Sequence, residues 1–383
     1  MRSGEQTMGL TIAVVREQAP GERRTALVPD VAKKLKALGA SLLGESGFGT
    51  AAQLPDQLFP ELEWTSERDA ALGRADIVIH VQPLSVEDIE RLREGTIVVG
   101  YLQPHLAPER VKALRDRKIT SFGLELLPRT TRAQAMDVLS SQAGMAGYKA
   151  VLIGAELSGK FFPMLTTAAG TVRPAKVLIV GAGVAGLQAI ATARRLGAMV
   201  EAFDVRPEVK EQIESLGAKF LDLGVSAKGE GGYARELTAE ERVEQSRRLG
   251  EQLKNYDVVV TTAAIPGRRA PKIITTEMCR NLRAGSVVVD LAAETGGNCE
   301  LTQPGQTVVA DGVTYAGPLN LASMGAIHAS EMYSRNVFNF LALSVKGGAC
   351  TLDWNDELIA KSALTHAGKI VHEPTRVAVE GAA

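Results

Sequence analysis

Short apolar runs alternate with amphipathic stretches along the chain. In the first third, the runs TIAVV, DIVIHV, TIVVGYL and KITSFGLEL are separated by stretches such as PDVAKKLKALG and PERVKALRDR. Runs that are apolar throughout are typical of strands buried on both faces of a parallel sheet. Pro29 lies near the start of one amphipathic stretch and Gly39 follows it, as the preferences of helix ends predict. The pattern therefore predicts a doubly wound α/β domain.

A second unit is organised around the segment KVLIVGAGVAGLQAIATARRLGAMVEAFDVR. An apolar strand over 176–180 leads directly into Gly181, Gly183 and Gly186, which have the G-x-G-x-x-G spacing. In this motif the glycines permit a tight turn, close approach of a pyrophosphate, and close packing of a helix on the strand. The helix predicted over about 184–196 directs its N-terminal N–H groups at the phosphates.

An acidic residue follows the second strand of this unit. The run 199–203 ends in Asp204, about 20 residues after the glycines, where the dinucleotide motif has a carboxylate for the ribose 2′-hydroxyl. A carboxylate there favours NAD(H) over NADP(H), whereas an arginine nearby, such as Arg206, can accommodate a 2′-phosphate. The alternative is an ordinary glycine-rich turn without a ligand, and Asp204 makes nucleotide binding the better interpretation.

The alternation continues around this motif. Further strands are predicted at 219–223, at 257–262, in SVVVDLAAETGGN and at 307–310, and further helices at 207–216, before Lys254, before Leu282 and from about 328. Between Pro128 and Pro174 a loop enters a long helix rich in alanine and serine, which is predicted to span a domain junction, where ligand clefts are common. The glycine-rich stretch over about 223–240 is either a solvated linker or a lid.

Composition narrows the classes of function. At 383 residues the chain exceeds the usual size of one domain. The net charge of −1 disfavours a nucleic-acid surface, and there is no apolar run of the kind that forms a membrane helix or signal peptide. The three cysteines and five histidines lack metal-ligand spacing. We therefore expect a soluble, intracellular protein with reduced, mostly buried cysteines, no metal, no nucleic-acid partner and no direct membrane insertion.

Several blocks of the sequence together resemble one known family. VVREQAPGERRTALVP, PRTTRAQAMDVLSSQA, GAGVAGLQAIATARRLGA, GGYARE, TTAAIPGRRAPKIIT and VVVDLAAETGGNCELT occur in the order found in the NAD(H)-binding subunit (domain I, alpha-1 subunit) of proton-translocating nicotinamide nucleotide transhydrogenase. The resemblance implies a component that binds NAD(H) and docks on an NADP(H)-binding beta subunit and membrane-spanning subunits. Hydride would pass directly between the two nicotinamides, coupled to proton translocation, so the protein's task is positioning.

The resemblance also implies roles for individual residues. Catalytic positioning beside the nicotinamide is implied for Arg129, Gln134 and Asp137. Cofactor binding is implied for Thr130, Thr131, Ser140, Gly181, Gly183, Val184, Gly186, Asp204, Val205, Arg206, Gly232, Tyr233 and Ala264. Among these, Tyr233 matches the tyrosine of a mobile loop that closes over the nucleotide. For the loop from Arg129 to Asp137, helix capping and surface charge are the alternative.

The same resemblance implies how the chain is arranged. The expected N-terminal doubly wound domain comprises residues 1–138 and 328–383, because the C-terminal helix returns to it, and the Rossmann domain comprises 139–327. The nucleotide is expected in the cleft between them, and the assembly is expected to be a homodimer. Because the chain ends at EGAA, the membrane parts are expected on separate chains. They would hold the protein peripherally on the cytoplasmic face of the inner membrane.

Alanine dehydrogenase, a relative in fold, is the alternative function. That enzyme needs a lysine and a histidine in its first domain to bind pyruvate and transfer a proton. At the corresponding strand ends this chain has HVQPL and YLQPH, so Gln103 replaces the histidine and His105 is displaced by two residues. We expect His105 to be a partly exposed loop residue. A nucleotide-sensing module without hydride transfer is a third hypothesis, because the sequence does not separate binding from turnover.

Overall fold

The structure, a computed structural model, describes residues 9–227, 235, 237–264, 267 and 269–381. The chain divides into two compact units, Met1–Gln142 with Gly325–Ala383 in the first and Ala143–Met324 in the second. The first division lies inside a long helix, and the second lies just before another helix.

The elements of the described residues are as follows. The β-strands are β1 (Thr11–Val14), β2 (Ser41–Glu45), β3 (Leu62–Thr65), β4 (Ile77–Ile79), β5 (Ile97–Gly100), β6 (Thr120–Gly123), β7 (Leu165–Thr167), β8 (Gly170–Val172), β9 (Lys176–Val180), β10 (Met199–Phe203), β11 (Lys219–Phe220), β12 (Val258–Thr261), β13 (Val287–Asp290), β14 (Thr307–Ala310), β15 (Val313–Ala316), β16 (Val345–Lys346), β17 (Ala349–Cys350), β18 (Ala363–His366) and β19 (Lys369–Ile370). The α-helices are α1 (Pro29–Ala37), α2 (Arg68–Arg74), α3 (Val86–Arg91), α4 (Pro108–Asp116), α5 (Val138–Leu157), α6 (Val184–Arg195), α7 (Lys210–Ser215), α8 (Ala239–Leu253), α9 (Thr276–Cys279), α10 (Ala326–Leu341), α11 (Glu357–Ser362) and α12 (Glu373–Glu380).

The first unit is built on an eight-stranded sheet in the order β19-β18-β6-β5-β4-β1-β2-β3. The strands from β1 to β6 pair in parallel, and β18 and β19 join one edge antiparallel. Successive side chains of a strand point to opposite faces. Accordingly, Ile12 and Val14 pack with α1 and α10, while Ala13 and Val15 pack with α2, α3 and α4. Helices therefore cover both faces, which explains why the strands are apolar throughout.

The second unit is built on a seven-stranded sheet in the order β11-β10-β9-β12-β13-β15-β14. All pairs are parallel except that of β14 with β15. Val177 and Ile179 of β9 pack into one core cluster, and Leu178 and Val180 pack into another on the opposite face. Strand order reverses between β9 and β12, and open α/β sheets bind ligands at such a switch point.

The predicted α/β class with parallel sheets is confirmed in both units, and element ends follow the local chemistry. Helix α1 begins at Pro29, and Gly39, with φ of +88°, follows its last turn. Such a φ is easy only for glycine. Helix α8 begins with a capping box, in which Thr238 accepts from the N–H of Glu241 and the Glu241 side chain accepts from Thr238.

Several predicted elements differ from the structure. The strand predicted over 219–223 is limited to β11, and the helix predicted over 207–216 begins as a 3₁₀-helix, Pro207–Val209, before α7. The hairpin of β7 and β8 was not predicted. Its residues are exposed, and apolar and polar residues do not alternate along it as they do in a half-buried strand. Strand β15 was also missed, although it lies inside the sheet beside β13.

Other features of the described residues bear on function. Every helix there is either too short or too polar to span a bilayer. In the same part of the chain, acidic, histidine and cysteine side chains form no group of three that could hold a metal ion. The three cysteines are free thiols, with Cys279 and Cys299 buried and Cys350 half-buried.

Candidate nucleotide-binding site

The glycine-rich turn after β9 needs glycine at its first and third positions. Gly181 has φ of +98°, and a Cβ on it would lie 2.7 Å from Oγ1 of Thr262. A Cβ on Gly186 would overlap the carbonyl oxygen of Gly181, because α6 packs directly against the turn. Any larger residue at either position would push the helix away from the strand.

Gly183 meets a different requirement. A Cβ on it would have nothing within 4 Å, so the protein's own packing does not demand glycine there. Gly183 is the N-cap of α6, and its neighbour Val184 is 47% exposed. The first helical turn carries no acidic residue, so no carboxylate of that turn competes with a ligand for its N–H groups. The position therefore suits a pyrophosphate that comes close to the backbone.

Asp204 lies beside this turn, at the end of β10, and is 7% exposed. Its Oδ2 accepts a hydrogen bond of 2.7 Å from the N–H of Ala182, and its Oδ1 accepts one of 2.8 Å from the N–H of Arg206. The Arg206 guanidinium donates from Nε to Oδ1 at 2.9 Å and from Nη2 to Oδ2 at 2.7 Å. These bonds raise the pKa of Arg206. Val205 between them is half-buried, and its carbonyl accepts from the N–H of Ala227 at 2.7 Å.

The loop after β12 forms the other side of the switch point. Thr262 donates through Oγ1 to the carbonyl of Gly181 at 2.9 Å, which ties this loop to the glycine turn. The fully buried Asn298 accepts from the N–H of Ala263 at 3.0 Å and donates to its carbonyl at 2.8 Å. These bonds fix the backbone immediately before Ala264, which is exposed.

In the first unit, Asp137 and Ser140 are brought together at the start of α5. Asp137 accepts from the Ser140 N–H at 2.9 Å and from the Ser140 Oγ at 2.5 Å. This is the geometry of a helix cap, in which an acidic side chain satisfies a free N–H of the first turn. Helix capping, the alternative role for this loop, therefore accounts for the contacts of Asp137 in this structure. A nucleotide that binds Asp137 would have to share its carboxylate with Ser140.

The residues before Asp137 form a 3₁₀-helix, Thr131–Met136. Arg129, Thr131 and Gln134 are exposed. Thr130 differs, because its Oγ1 is buried and has no hydrogen-bond partner among the described residues. An unpaired buried hydroxyl costs free energy of about 1–3 kcal/mol, so this atom suits a ligand group that supplies the missing bond.

Comparison with known proteins identifies the family. The sequence matches the family described as alanine dehydrogenase/PNT, N-terminal domain, over residues 13–146 and the corresponding C-terminal domain over 150–373. This chain belongs to the alanine dehydrogenase/PNT family.

Relatives within this family differ in how similar they are. An NAD(P) transhydrogenase subunit alpha chain of Rhodospirillum rubrum is 44% identical over 95% of this chain and 98% of its own length. The corresponding chain of Rickettsia prowazekii is 42% identical over 95% of this chain and 96% of its own. An alanine dehydrogenase of Halomonas elongata is 28% identical over 95% of each chain.

Solved structures agree with the sequence comparison. The transhydrogenase from Sinorhizobium meliloti superposes with a TM-score of 0.84 and 40% identity, covering 95% of this chain and 99% of its own. An L-alanine dehydrogenase superposes with a TM-score of 0.80 and 23% identity, covering 97% of this chain and 100% of its own. At that identity it shows the shared fold alone. The predicted resemblance to the transhydrogenase subunit is thus confirmed.

The positions that would serve an alanine dehydrogenase of this family have other partners here. At the first of these strand ends, the Gln82 side chain donates to Glu22 at 2.8 Å. The same carboxylate accepts from the buried Arg24, from Nε at 2.8 Å and from Nη2 at 2.7 Å. Gln103 donates its backbone N–H to Glu125 at 2.7 Å, and His105 is exposed on the loop beyond it. An amide at Gln103 has no acidic proton to transfer.

The sequence did not identify Thr262 and Asn298, two residues that hold the loop after β12 in place. Both lie in blocks that carried the resemblance, but nothing in their spacing shows that they hold the loop before Ala264. Gly232 and Tyr233 lie outside the described residues, together with 228–231, 234 and 236 of the predicted loop over about 223–240.

Proposed function

We propose that this chain is the NAD(H)-binding component of a proton-translocating nicotinamide nucleotide transhydrogenase. Hydride would pass directly between NADH on this chain and NADP⁺ on a partner subunit. Nucleotide binding is supported by the open space at Gly183. Packing requires glycine at Gly181 and Gly186 on either side, but not at Gly183 itself. The transhydrogenase assignment is supported by relatives that bear this name at 40–44% identity and match this chain nearly end to end.

In this proposal, the predicted site residues of the second unit position the nucleotide. The N–H groups at the start of α6 receive the pyrophosphate. Asp204 accepts from the adenosine ribose, and Ala264 bounds the adenine or ribose. Gly232 and Tyr233 would belong to the loop that closes over the nucleotide.

The loop of the first unit would hold the nicotinamide end. Asp137 and Arg129 would bond the carboxamide and nearby ribose, with Thr130 and Ser140 supporting the same end, and Gln134 would reach the nucleotide of the partner. NADH itself supplies the hydride, so the chain needs neither a nucleophile nor a general base. The proposed domains are residues 1–138 with 328–383, and residues 139–327.

The partners follow from the same proposal. A beta subunit would carry NADP(H), and membrane-spanning subunits would move the proton. This chain would be held through them on the cytoplasmic face of the inner membrane.

A homodimer is part of the proposal, and the hairpin of β7 and β8 supports it. Met164 is 66% exposed, Leu165 38% and Val172 44%, and Phe161 beside the hairpin is 58% exposed. An isolated two-stranded hairpin is marginally stable in water, and a second copy of this chain would cover these side chains. Val172→Lys should therefore shift the chain from dimer to monomer in sedimentation velocity. If the variant still sediments as a dimer, the hairpin is not part of the dimer interface.

The proposed function is tested by fluorescence titration of the purified chain with NADH and NADPH. We expect NADH to bind preferentially and to persist when pyruvate and ammonium are added. Adding an NADP(H)-binding beta subunit and NADP⁺ should then start hydride transfer. Consumption of NADH with pyruvate and ammonium would instead establish an alanine dehydrogenase, and NADH binding without any transfer to NADP⁺ would favour a sensing module.

A further inference from the structure

A cavity of about 320 Å³ lies in the first unit, at the carboxyl ends of β1 and β4. Its lining includes Arg16, Glu17, His80, Asp88 and Arg110. Ligand sites of α/β sheets lie at this edge, and ligand pockets start at about 300 Å³, so the cavity suits a ligand of few atoms. None of these residues belongs to the proposed nucleotide site.

His80 lines this cavity and has an unused acceptor. The side chain is 1% exposed, and its Nδ1 lies 2.7 Å from the carbonyl oxygen of Gln82. Because a carbonyl only accepts, Nδ1 carries the proton. Burial lowers the pKa of His80 to about 4, so the ring is neutral near pH 7. Its Nε2 is therefore a lone-pair acceptor, and it is buried without a hydrogen-bond partner. A ligand that satisfies it must donate a hydrogen bond.

Arg110 presents an unused donor. Its Nε is buried and has no partner, and the described residues place no carboxylate at ion-pair distance from its guanidinium. The other two arginines of the lining are neutralised. Arg16 pairs with Glu45 at 2.7 Å, and Arg68 pairs with Glu45 at 2.8 Å and with Asp88 at 2.7 Å.

The remaining acid of the lining, Glu17, is not a counter-ion for Arg110. Its carboxylate oxygens accept from the backbone N–H groups of Val81 at 2.6 Å and Gln82 at 2.9 Å. Burial raises the pKa of Glu17 to about 7, so it is only partly ionised near neutrality. The cavity therefore has one cation without a counter-ion and one acceptor without a donor.

We propose that this cavity binds a small oxyanion that also carries a hydroxyl group, such as a short hydroxycarboxylate or hydrogen phosphate. The oxyanion accepts from Arg110, and the hydroxyl donates to Nε2 of His80. Gln82, at the strand end where an alanine dehydrogenase has its lysine, also lines this cavity, but its side-chain amide donates to Glu22, and Gln103 is not part of the lining.

Calorimetry on the full chain with four anions at pH 7 tests the proposal. Lactate and propionate differ in one hydroxyl, and hydrogen phosphate and sulfate differ in the same way. We expect saturable binding of lactate or hydrogen phosphate, at least about tenfold tighter than its matched anion, because the analogue leaves Nε2 unpaired. Whether lactate or hydrogen phosphate binds more tightly distinguishes the two sources of the oxyanion.

Variants locate the binding. Arg110→Gln should abolish it, and His80→Leu should make the two members of each pair bind alike. Arg74→Gln, which breaks only the exposed pair with Glu63, is the matched control and should bind as the wild type does. Fluorescence of the two tryptophans, Trp64 and Trp354, reports folding of the first unit in each variant.

Three results would overturn the proposal. They are the lack of saturable binding for all four anions, equal binding within both pairs, and undiminished binding by a folded Arg110→Gln protein. Arg110 is only half-buried, so we expect Arg110→Gln to fold. This variant therefore still tests the proposal if His80→Leu does not fold.

Discussion

Arg206 holds both carboxylate oxygens of Asp204, with Nε 2.9 Å from Oδ1 and Nη2 2.7 Å from Oδ2. The N–H groups of Arg206 and Ala182 bond the same two oxygens. A carboxylate has about four lone-pair sites, and all of them are used here. Ribose hydroxyls that bind Asp204 must therefore take over bonds that the guanidinium makes in this structure.

This competition makes Asp204→Ala informative for specificity. The variant loses the acceptor for the ribose hydroxyls and releases a guanidinium that can meet a 2′-phosphate. We expect the Kd for NADH to rise by about tenfold to a hundredfold and the Kd for NADPH to fall, as measured by fluorescence titration. Glu208→Ala removes an exposed acid nearby and should change neither constant. An unchanged Kd for NADH in Asp204→Ala would refute the assignment of this residue to the ribose.

The glycines of the turn should separate fold from binding. In Gly186→Ala the new Cβ overlaps the Gly181 carbonyl, so we expect a protein destabilised by several kcal/mol or insoluble. In Gly183→Ala the Cβ has nothing within 4 Å, so the melting temperature should stay within a few degrees while NADH affinity falls at least about tenfold. Thermal unfolding and NADH titration measure the two effects. Full NADH affinity in Gly183→Ala would show that no pyrophosphate approaches this residue.

Asn298 should influence the nucleotide without touching it. Asn298→Ala removes three hydrogen bonds that the fully buried side chain makes to the backbone of Ala263 and Pro271. We expect a loss of about 1–3 kcal/mol in the free energy of unfolding and a weaker affinity for NADH. Asn281→Ala, which breaks one bond to Gly250, serves as the comparison. Equal NADH affinity in both variants would show that the loop before Ala264 does not contribute.

Gln134 should affect transfer more than binding. The side chain is exposed on the 3₁₀-helix Thr131–Met136, and its proposed contact is with the nucleotide of the partner. We expect Gln134→Asn to bind NADH nearly as the wild type does and to slow hydride transfer to NADP⁺ on the beta subunit by about tenfold or more. Gln57→Asn changes another exposed glutamine and should do neither. Equal losses in binding and transfer would place Gln134 within the NADH pocket instead.

Glu17 gives the first unit a pH dependence. Its pKa is raised from 4.5 to about 7, so the folded state holds the proton more tightly than the unfolded state does. Stability from this group is thus lost as the pH rises from about 4.5 to about 7. The lowered pKa of His80, about 4, acts in the opposite direction between about 4 and 6.5.

The two groups are separated by a difference measurement. The unfolding free energy of Glu17→Gln minus that of the wild type should increase by about 1–3 kcal/mol between pH 4.5 and pH 7. Urea unfolding followed by tryptophan fluorescence measures it. Glu17→Ala should show the same slope, since only the loss of the carboxyl matters, and a flat difference for both variants would contradict the raised pKa.

The sequence by itself determined the α/β class, the glycine turn and the acid at Asp204. Those features follow from local rules, because apolar runs report strands buried on both faces and a positive φ at Gly181 excludes other residues. It also determined the family, since several separate blocks agreed in order.

Tertiary structure alone decided what each polar group bonds. The capping of α5 by Asp137, the hold of Arg206 on Asp204, and the support of Ala263 by Asn298 depend on distances that spacing does not encode. The same is true of His80 and Arg110, which lie 30 positions apart in the chain and line one cavity. Hydrogen bonds and ion pairs act over a few ångströms, and only the folded chain brings such residues within that range.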